Sequence, residues 1–427
     1  MAFPVCLTRL LIQAGLARYL PHWQRLADGG SAFLECYSDR LLSGLHTPVA
    51  DLLSLQQCAA SDLIDLATPV PAWDFLPSCS TKLPADRRGM PSPAGLPELQ
   101  QAVADKLSAD HELAWQPTGE VLITAGVSGA FNLVLDALLN PGGRVVLFAP
   151  AAPLYQFAVA QRRGRIRWVP TWIEDGFIRY DPRRLIDRLR HSRLIVLNAP
   201  ANPTGGLFRP EDLEQIAWWA HRFDTLIFSD DVAHDCCDEL RPASIAALPR
   251  ARERTLLAGS PSKSHALTAA RVGWLAGHRC LLRPCLLSTV LQSQAVPVLS
   301  QQLALTALRL GAEVSRPMHA ELASRRRYSF ERLHGMGLRP EWPAGGHWHW
   351  VPVSGFGLDG QQFADQLAAD RKVLVWPGRH FGPGGEDHIR ISFAGDEGRL
   401  RLGLQRLADF VGRRQAAEPT EVRKRAA

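Results

Sequence analysis

The chain predicts a two-domain α/β fold. A large domain would carry a mostly parallel central sheet flanked by helices, and a smaller α+β domain would be built from both chain ends. Three observations point there. Between about residues 89 and 310, short apolar runs alternate with amphipathic stretches, the pattern of strands crossed over by helices. Three of those stretches open on a proline in the first turn, where a missing N–H costs nothing. A second, shorter set of strands and helices follows residue 346, and 427 residues suffice for two cores.

The strand candidates of the large domain are Val121–Thr124, Arg144–Ala149, Arg165–Val169, Arg193–Asn198, Asp224–Ser229, Thr255–Ala258 and Val272–Ala276. They are apolar along their length, as strands covered on both faces are. Helices are expected at Pro97–Leu107, Ser128–Leu139, Pro182–Arg190 and Pro210–Arg222. A long helical stretch around Leu287–Leu310, continuing past Gly311, would lead into the second domain. There the expected strands are Gly346–Val353, Lys372–Trp376 and His388–Phe393, with helices Gln361–Ala369 and Glu397–Val411. The resulting division is 1–88 for an arm and part of the small domain, 89–310 for the large domain, and 311–427 for the rest of the small domain. Strand signal is poor before Leu63-Ile64-Asp65-Leu66.

Composition excludes several classes. The apolar fraction of 46% and the charged fraction of 21% are those of a globular protein. Net charge is +6, but the arginines are scattered, and the cluster Arg325-Arg326-Arg327 reads as solvated surface, so no nucleic-acid partner is expected. No apolar run approaches the length needed to cross a bilayer. The first 20 residues read as an amphipathic helix and not a signal peptide, and the Arg423-Lys424-Arg425 tail as a fraying end. Eight cysteines without a C-x-x-C pair read as reduced and mostly buried thiols, and a cytoplasmic location is expected.

Four stretches carry chemistry. The apolar run Thr255–Gly259 leads into Ser260-Pro261-Ser262-Lys263, and Arg271 stands eight positions beyond the lysine. Lysine is scarce, five of 48 cationic residues, so one among small residues at a strand end stands out. Held away from water, its amine could form a Schiff base with a carbonyl cofactor, with Ser260 and Arg271 gripping an anion on it. Gly126-Val127-Ser128-Gly129 follows a strand and opens a helix; it is either a small-residue turn or a phosphate cradle of free N–H groups. Ser229-Asp230-Asp231 ends another strand, where acids line ligand crevices. Arg390, in the run His388–Phe393, needs a partner: a substrate carboxylate or an internal acid. The alternating His347 and His349 could bind metal, but no third ligand is evident, so strand packing is preferred and no metal is expected.

Asn198-Ala199-Pro200-Ala201-Asn202-Pro203-Thr204-Gly205 matches N-x-P-x-N-P-T-G at every fixed position. With S-x-S-K, seven residues, then R-x-G, and with Gly95-Leu96-Pro97-Glu98-Leu99, it makes the chain resemble the class I/II aminotransferases of the aspartate-aminotransferase fold. The matches keep the family's order across roughly residues 89–395. The resemblance implies pyridoxal 5′-phosphate (PLP) on Lys263, which would also shuttle the substrate proton. Gly126, Val127, Ser128, Ser260 and Arg271 would hold the phosphate, Asn202 would bond the phenolic oxygen, and Asp230 would pair with the ring nitrogen. Arg390 would take the substrate α-carboxylate. A homodimer with composite sites is also implied, and the Asn202–Pro203 bond is a candidate cis peptide.

The chain departs from the family at three aromatic positions. Ala152 stands where a ring-stacking aromatic is usual, Ala233 where a tyrosine usually assists Asn202, and Met90 where the partner subunit's tyrosine is expected. Either Tyr155, His234 and the tryptophans fill these gaps, or the chemistry has drifted. The leading expectation is transamination between an α-amino acid and a 2-oxo acid. The alternatives are other PLP chemistry at Cα (elimination, cyclisation, decarboxylation or oxidation) or a non-catalytic binding protein of the same fold.

Overall fold

The computed structural model describes residues 62–73, 89–237 and 242–417. The expected amphipathic helix over the first 20 residues, the Arg423–Arg425 tail and Cys6, Cys36, Cys58 and Cys79 lie outside these residues. Of the four described cysteines, Cys236 and Cys285 are buried, Cys237 is half-buried and Cys280 is exposed.

The large sheet has eight strands. They are β2 (Val121–Thr124), β3 (Arg144–Ala149), β4 (Arg165–Glu174), β5 (Phe177–Tyr180), β6 (Leu194–Asn198), β7 (Leu226–Asp230), β8 (Thr255–Gly259) and β9 (Gly273–Gly277). Their order is β2-β9-β8-β7-β6-β3-β4-β5. The run from β8 to β4 is parallel, whereas β9 lies antiparallel to both of its neighbours and β5 to β4. Strands β2, β7, β8 and β9 are buried at every residue, which explains their lack of polar alternation. One core packs around Phe131, Val134, Leu147 and Phe228, another around Ile195, Leu185 and Ile227.

Helices α1 (Pro97–His111), α2 (Gly126–Leu138), α3 (Pro153–Gln161), α4 (Pro182–Leu189) and α5 (Pro210–Arg222) connect these strands. Several elements differ from expectation, among them α3, which no expected helix covers, and the expected strand Lys372–Trp376, which divides between two sheets. Strand β4 runs on to Glu174 and returns as β5 through Asp175 and Gly176, both at positive φ, the two-residue turn that matches strand twist. The expected continuous helix over Leu287–Leu310 is two: α6 (Arg279–Gln292) and α7 (Val298–Gly335). Gln294 is left-handed and Pro297 supplies no N–H, so the first helix cannot run through. Within α7 the backbone leaves helical geometry at Gly311.

The smaller sheet is antiparallel, ordered β10 (Trp348–Pro352), β13 (His388–Ser392), β12 (Trp376–Pro377). Strand β1 (Ile64–Asp65) pairs in parallel with β11 (Val373–Leu374). Helices α8 (Gly360–Arg371) and α9 (Glu397–Ala417) accompany them, over a core of Phe363, Val373, Ile389, Ile391 and Leu404. The arginine cluster is not the solvated face expected. Arg326 is buried, donates to the carbonyls of Cys236 and Gly346 (both 3.1 Å) and packs on Phe393. Arg325 is buried too and donates to Gly395, while only Arg327 is exposed. Carbonyl acceptors at the helix face meet the needs of a charge that would otherwise have to stay in water. Among the described residues no helix is long and apolar enough to cross a membrane.

Candidate active site

Strand register gathers the predicted residues at one edge of the large sheet. Asn198 pairs with Asp230, Asp230 with Ala258, Gly259 with Trp274, and Gly273 with Thr124. The loops after β2, β6, β7 and β8, and the one before β9, therefore open side by side, at the carboxyl ends where α/β sheets bind ligands.

At one end, β2 runs into α2 through Gly126, whose φ is +72°. The turn's positive φ calls for a glycine, and a Cβ there would also lie 2.9 Å from Arg271 Nη2, crowding the guanidinium. A Cβ on Gly273 would lie 2.6 Å from the Gly259 carbonyl oxygen, which packs the three backbones together. Arg271 Nη2 donates to Ser128 Oγ (3.2 Å) and Nη1 to the Thr268 carbonyl (3.0 Å). Val127 is buried and contributes backbone alone. The Ser260 hydroxyl lies close by but is turned elsewhere: it donates to Val272 O (2.7 Å), caps Ser262 N and meets Ser262 Oγ at 2.7 Å. Ser262 is thus a third hydroxyl in the cluster; its position in the S-x-S-K run was the signal for it.

Lys263 sits half-buried in the short helical turn Pro261–Ser264. Burial lowers its pKa from the usual 10.5 to about 8, and Arg390 and Arg271 push the same way. Its ammonium donates to the Pro69 carbonyl. Arg390 is buried, with Nη2 donating to Ala67 O (2.6 Å) and Nη1 to Asn202 Oδ1 (2.9 Å). Burial pulls its pKa down to about 9, still charged at neutral pH. Its Nε has no hydrogen-bond partner among the described residues, and the group is ringed by Trp376, Phe381 and Trp348 at 4.7, 5.1 and 5.8 Å. Since Arg390 can only donate, the amide oxygen of Asn202 faces it and the NH2 points away. Among the described residues no carboxylate bonds Arg390, whose hydrogen bonds go to a carbonyl and an amide. Asn202–Pro203 is cis, as are Ala199–Pro200 and Ala149–Pro150.

Asp230 is buried at the far end. Burial raises its pKa to about 6, against the Tyr155 hydroxyl (2.5 Å) and Val232 N–H (3.0 Å), which both favour the charged form. Asp231 is engaged elsewhere, by Ser229 Oγ at 2.7 Å. Tyr155, one of the candidates for the aromatic gaps, bonds Asp230 and packs edge-on against Phe131. Beside Ala233 stands Trp348, which donates to Ala201 O (3.2 Å). His234 lines a separate polar cleft. His349 Nε2 meets Ser329 Oγ at 2.7 Å and the ring packs on Phe393, a core arrangement and not a metal pair with His347.

An amine of lowered pKa, a glycine–serine turn at a helix start, a buried acid and an arginine that bonds no carboxylate among the described residues stand around this end of the sheet. Residues 76–407 match the family model "Aminotransferase class I and II", and the chain belongs to that family, whose members use PLP. An aspartate aminotransferase of Pyrococcus abyssi is 31% identical over 73% of this chain and 81% of its own. An arginine–pyruvate transaminase of Pseudomonas aeruginosa is 30% identical over 92% and 97%. Among solved structures, an aromatic aminotransferase of Pyrococcus horikoshii superposes with a TM-score of 0.76 at 27% identity, covering 85% of this chain and 99% of the other.

Proposed function

We propose that this chain binds PLP at the edge of the large sheet and transfers an amino group between an α-amino acid and a 2-oxo acid. The observation that carries this is Lys263, its pKa lowered to about 8, together with a buried Arg390 whose Nε has no partner among the described residues. The residues present fit the cofactor. Gly126, Val127 and Ser128 would offer N–H and hydroxyl donors to its phosphate at the positive end of a 13-residue helix, with Arg271 alongside. Ser260 would join them once its hydroxyl turns from the Val272 carbonyl. Asn202 would present its NH2 to the phenolic oxygen, and Asp230 its carboxylate to the ring nitrogen.

When bound, PLP supplies an electron sink for the pair released at the substrate Cα. Lys263 would hold the cofactor covalently, then, once displaced, take the Cα proton and return it as base and acid. An amine near pKa 8 is suited to both directions at neutral pH. Arg390 would orient the α-carboxylate by a charge-assisted pair in a dry setting.

The relatives named for aspartate, aromatic amino acids, arginine and valine leave the side chain unassigned. Exposed Leu287, Val290 and Leu291 on α6, with exposed Met90 and Leu299, support a homodimer, and a cytoplasmic location accompanies this reading. The test is a half-reaction: purified enzyme is mixed with single amino acids and the visible spectrum is followed. Conversion to the pyridoxamine form, with release of the 2-oxo acid, supports transamination. Turnover that never yields that form would assign other Cα chemistry.

A further inference from the structure

A second polar cleft, of about 550 Å³, lies on the other side of the His265 turn and contains Lys106, Asp110, His234, Asp235, His265 and His319 in its lining. None of these belongs to the cofactor site. A ring nitrogen of His234 and one carboxylate oxygen each of Asp110 and Asp235 lie within 4.8 Å of one another. His234 is 8% exposed, and its Nε2 is buried without a hydrogen-bond partner among the described residues. A buried imidazole nitrogen left unpaired is costly unless something accepts or supplies its bond. The two carboxylates are bridged by the Lys106 ammonium, 2.8 Å from Asp110 and 2.9 Å from Asp235. A cation is already called for at this point, and the protein meets the need with its own side chain.

We propose that this cleft is a site for a divalent transition-metal ion, bound by His234, Asp110 and Asp235, with Lys106 acting as a built-in competitor that swings out when the ion enters. An imidazole with two carboxylates suits Zn²⁺ and its neighbours and not the all-oxygen shells of Ca²⁺ or Mg²⁺. Ligand atoms on one such ion stand about 3–4 Å apart, so 4.8 Å closes by side-chain rotation. Lys106 is partly exposed, with 22% of its side chain open, and its long stem can reach water. Asp110 and His234 come from α1 and the loop after β7, so the ion would tie those two elements together.

The test titrates Co²⁺ into untagged, chelator-treated holoenzyme, reading the visible d–d bands, and repeats it with Zn²⁺ in competition. One equivalent per chain is expected. His234→Gln should weaken binding at least about tenfold. Lys106→Met should tighten it by a similar factor, since the competitor is gone. Circular dichroism and retained cofactor absorbance show that each variant is folded, and Asp235→Asn replaces any that is not. Co²⁺ affinity unchanged by both His234→Gln and Asp235→Asn would overturn the site. An affinity that Lys106→Met leaves unaltered or weakens would overturn the displacement.

Discussion

Lys106 and Lys263 are both half-buried lysines, and the chain drives their pKa values in opposite directions. Burial lowers the pKa of each. Beside Lys106 the carboxylates of Asp235 and Asp110 more than restore it, so the group ends above its ordinary value. Beside Lys263 burial dominates, Cys236 opposes it only in part, and Arg390 and Arg271 add to it, so the group falls to about 8. Depth alone therefore does not make a lysine reactive; the sign of its neighbours decides whether the effect of burial survives. One setting holds a charge in place, and the other keeps a neutral amine within reach.

Breaking the comparison outright starts at Lys263. Lys263→Ala should lower amino transfer by about 10²–10⁴ or more and abolish the bound-cofactor absorbance band. A variant that stays yellow and is reduced onto another lysine by borohydride would reassign the amine. Next comes Arg390→Ala, expected to weaken α-carboxylate recognition by about 2–5 kcal/mol, read in kcat/KM for amino acids against amines of the same side chain. Equal losses for both would remove Arg390 from that role.

Smaller effects sharpen the contrast. Tyr155→Phe removes a bond that favours ionised Asp230, so the Asp230 pKa should rise from about 6 by roughly one to two units. The acid limb of the kcat/KM profile should move up with it. A profile that does not move would separate Tyr155 from the ring end. Stability gives a separate measure of the contrast. Folded Lys263 binds fewer protons than the unfolded chain between about pH 8 and 10.5, so apoprotein stability gains a contribution as pH rises through that window. In Lys263→Met that part of the slope should vanish in denaturant melts, whereas Lys106→Met should leave it in place.

Much of this was legible in the residues. Strands β2 and β3 and helix α5 lie where their apolar runs and opening proline place them, because a fully buried strand and a proline-started helix write their own boundaries. The β4–β5 hairpin is not legible in the sequence although Asp175-Gly176 is its usual turn, since Arg179 and the half-exposed face of β4 dilute the apolar signal. The break before Val298 is hidden because Pro297 sits inside an otherwise periodic stretch. Within the site, motifs point to Lys263, Asn202, Asp230 and Arg390, each read from local spacing. The Tyr155–Asp230 bond spans 75 residues, and no local pattern announces a partner brought in by sheet order. The burial of Arg326 likewise depends on carbonyls 90 residues and 20 residues away.

The ladder Asn198–Asp230–Ala258 has a bearing on how such a chain can diversify. A single residue added inside any of those three strands would turn the side chains behind it to the opposite face and scatter the groups at their tips. The same residue added in the loops at the far rim of the sheet would disturb none of them. New substrate preferences should therefore accumulate as exchanges of side chain near Trp376 and Ala152, and changes of length should collect on the rim that carries no chemistry.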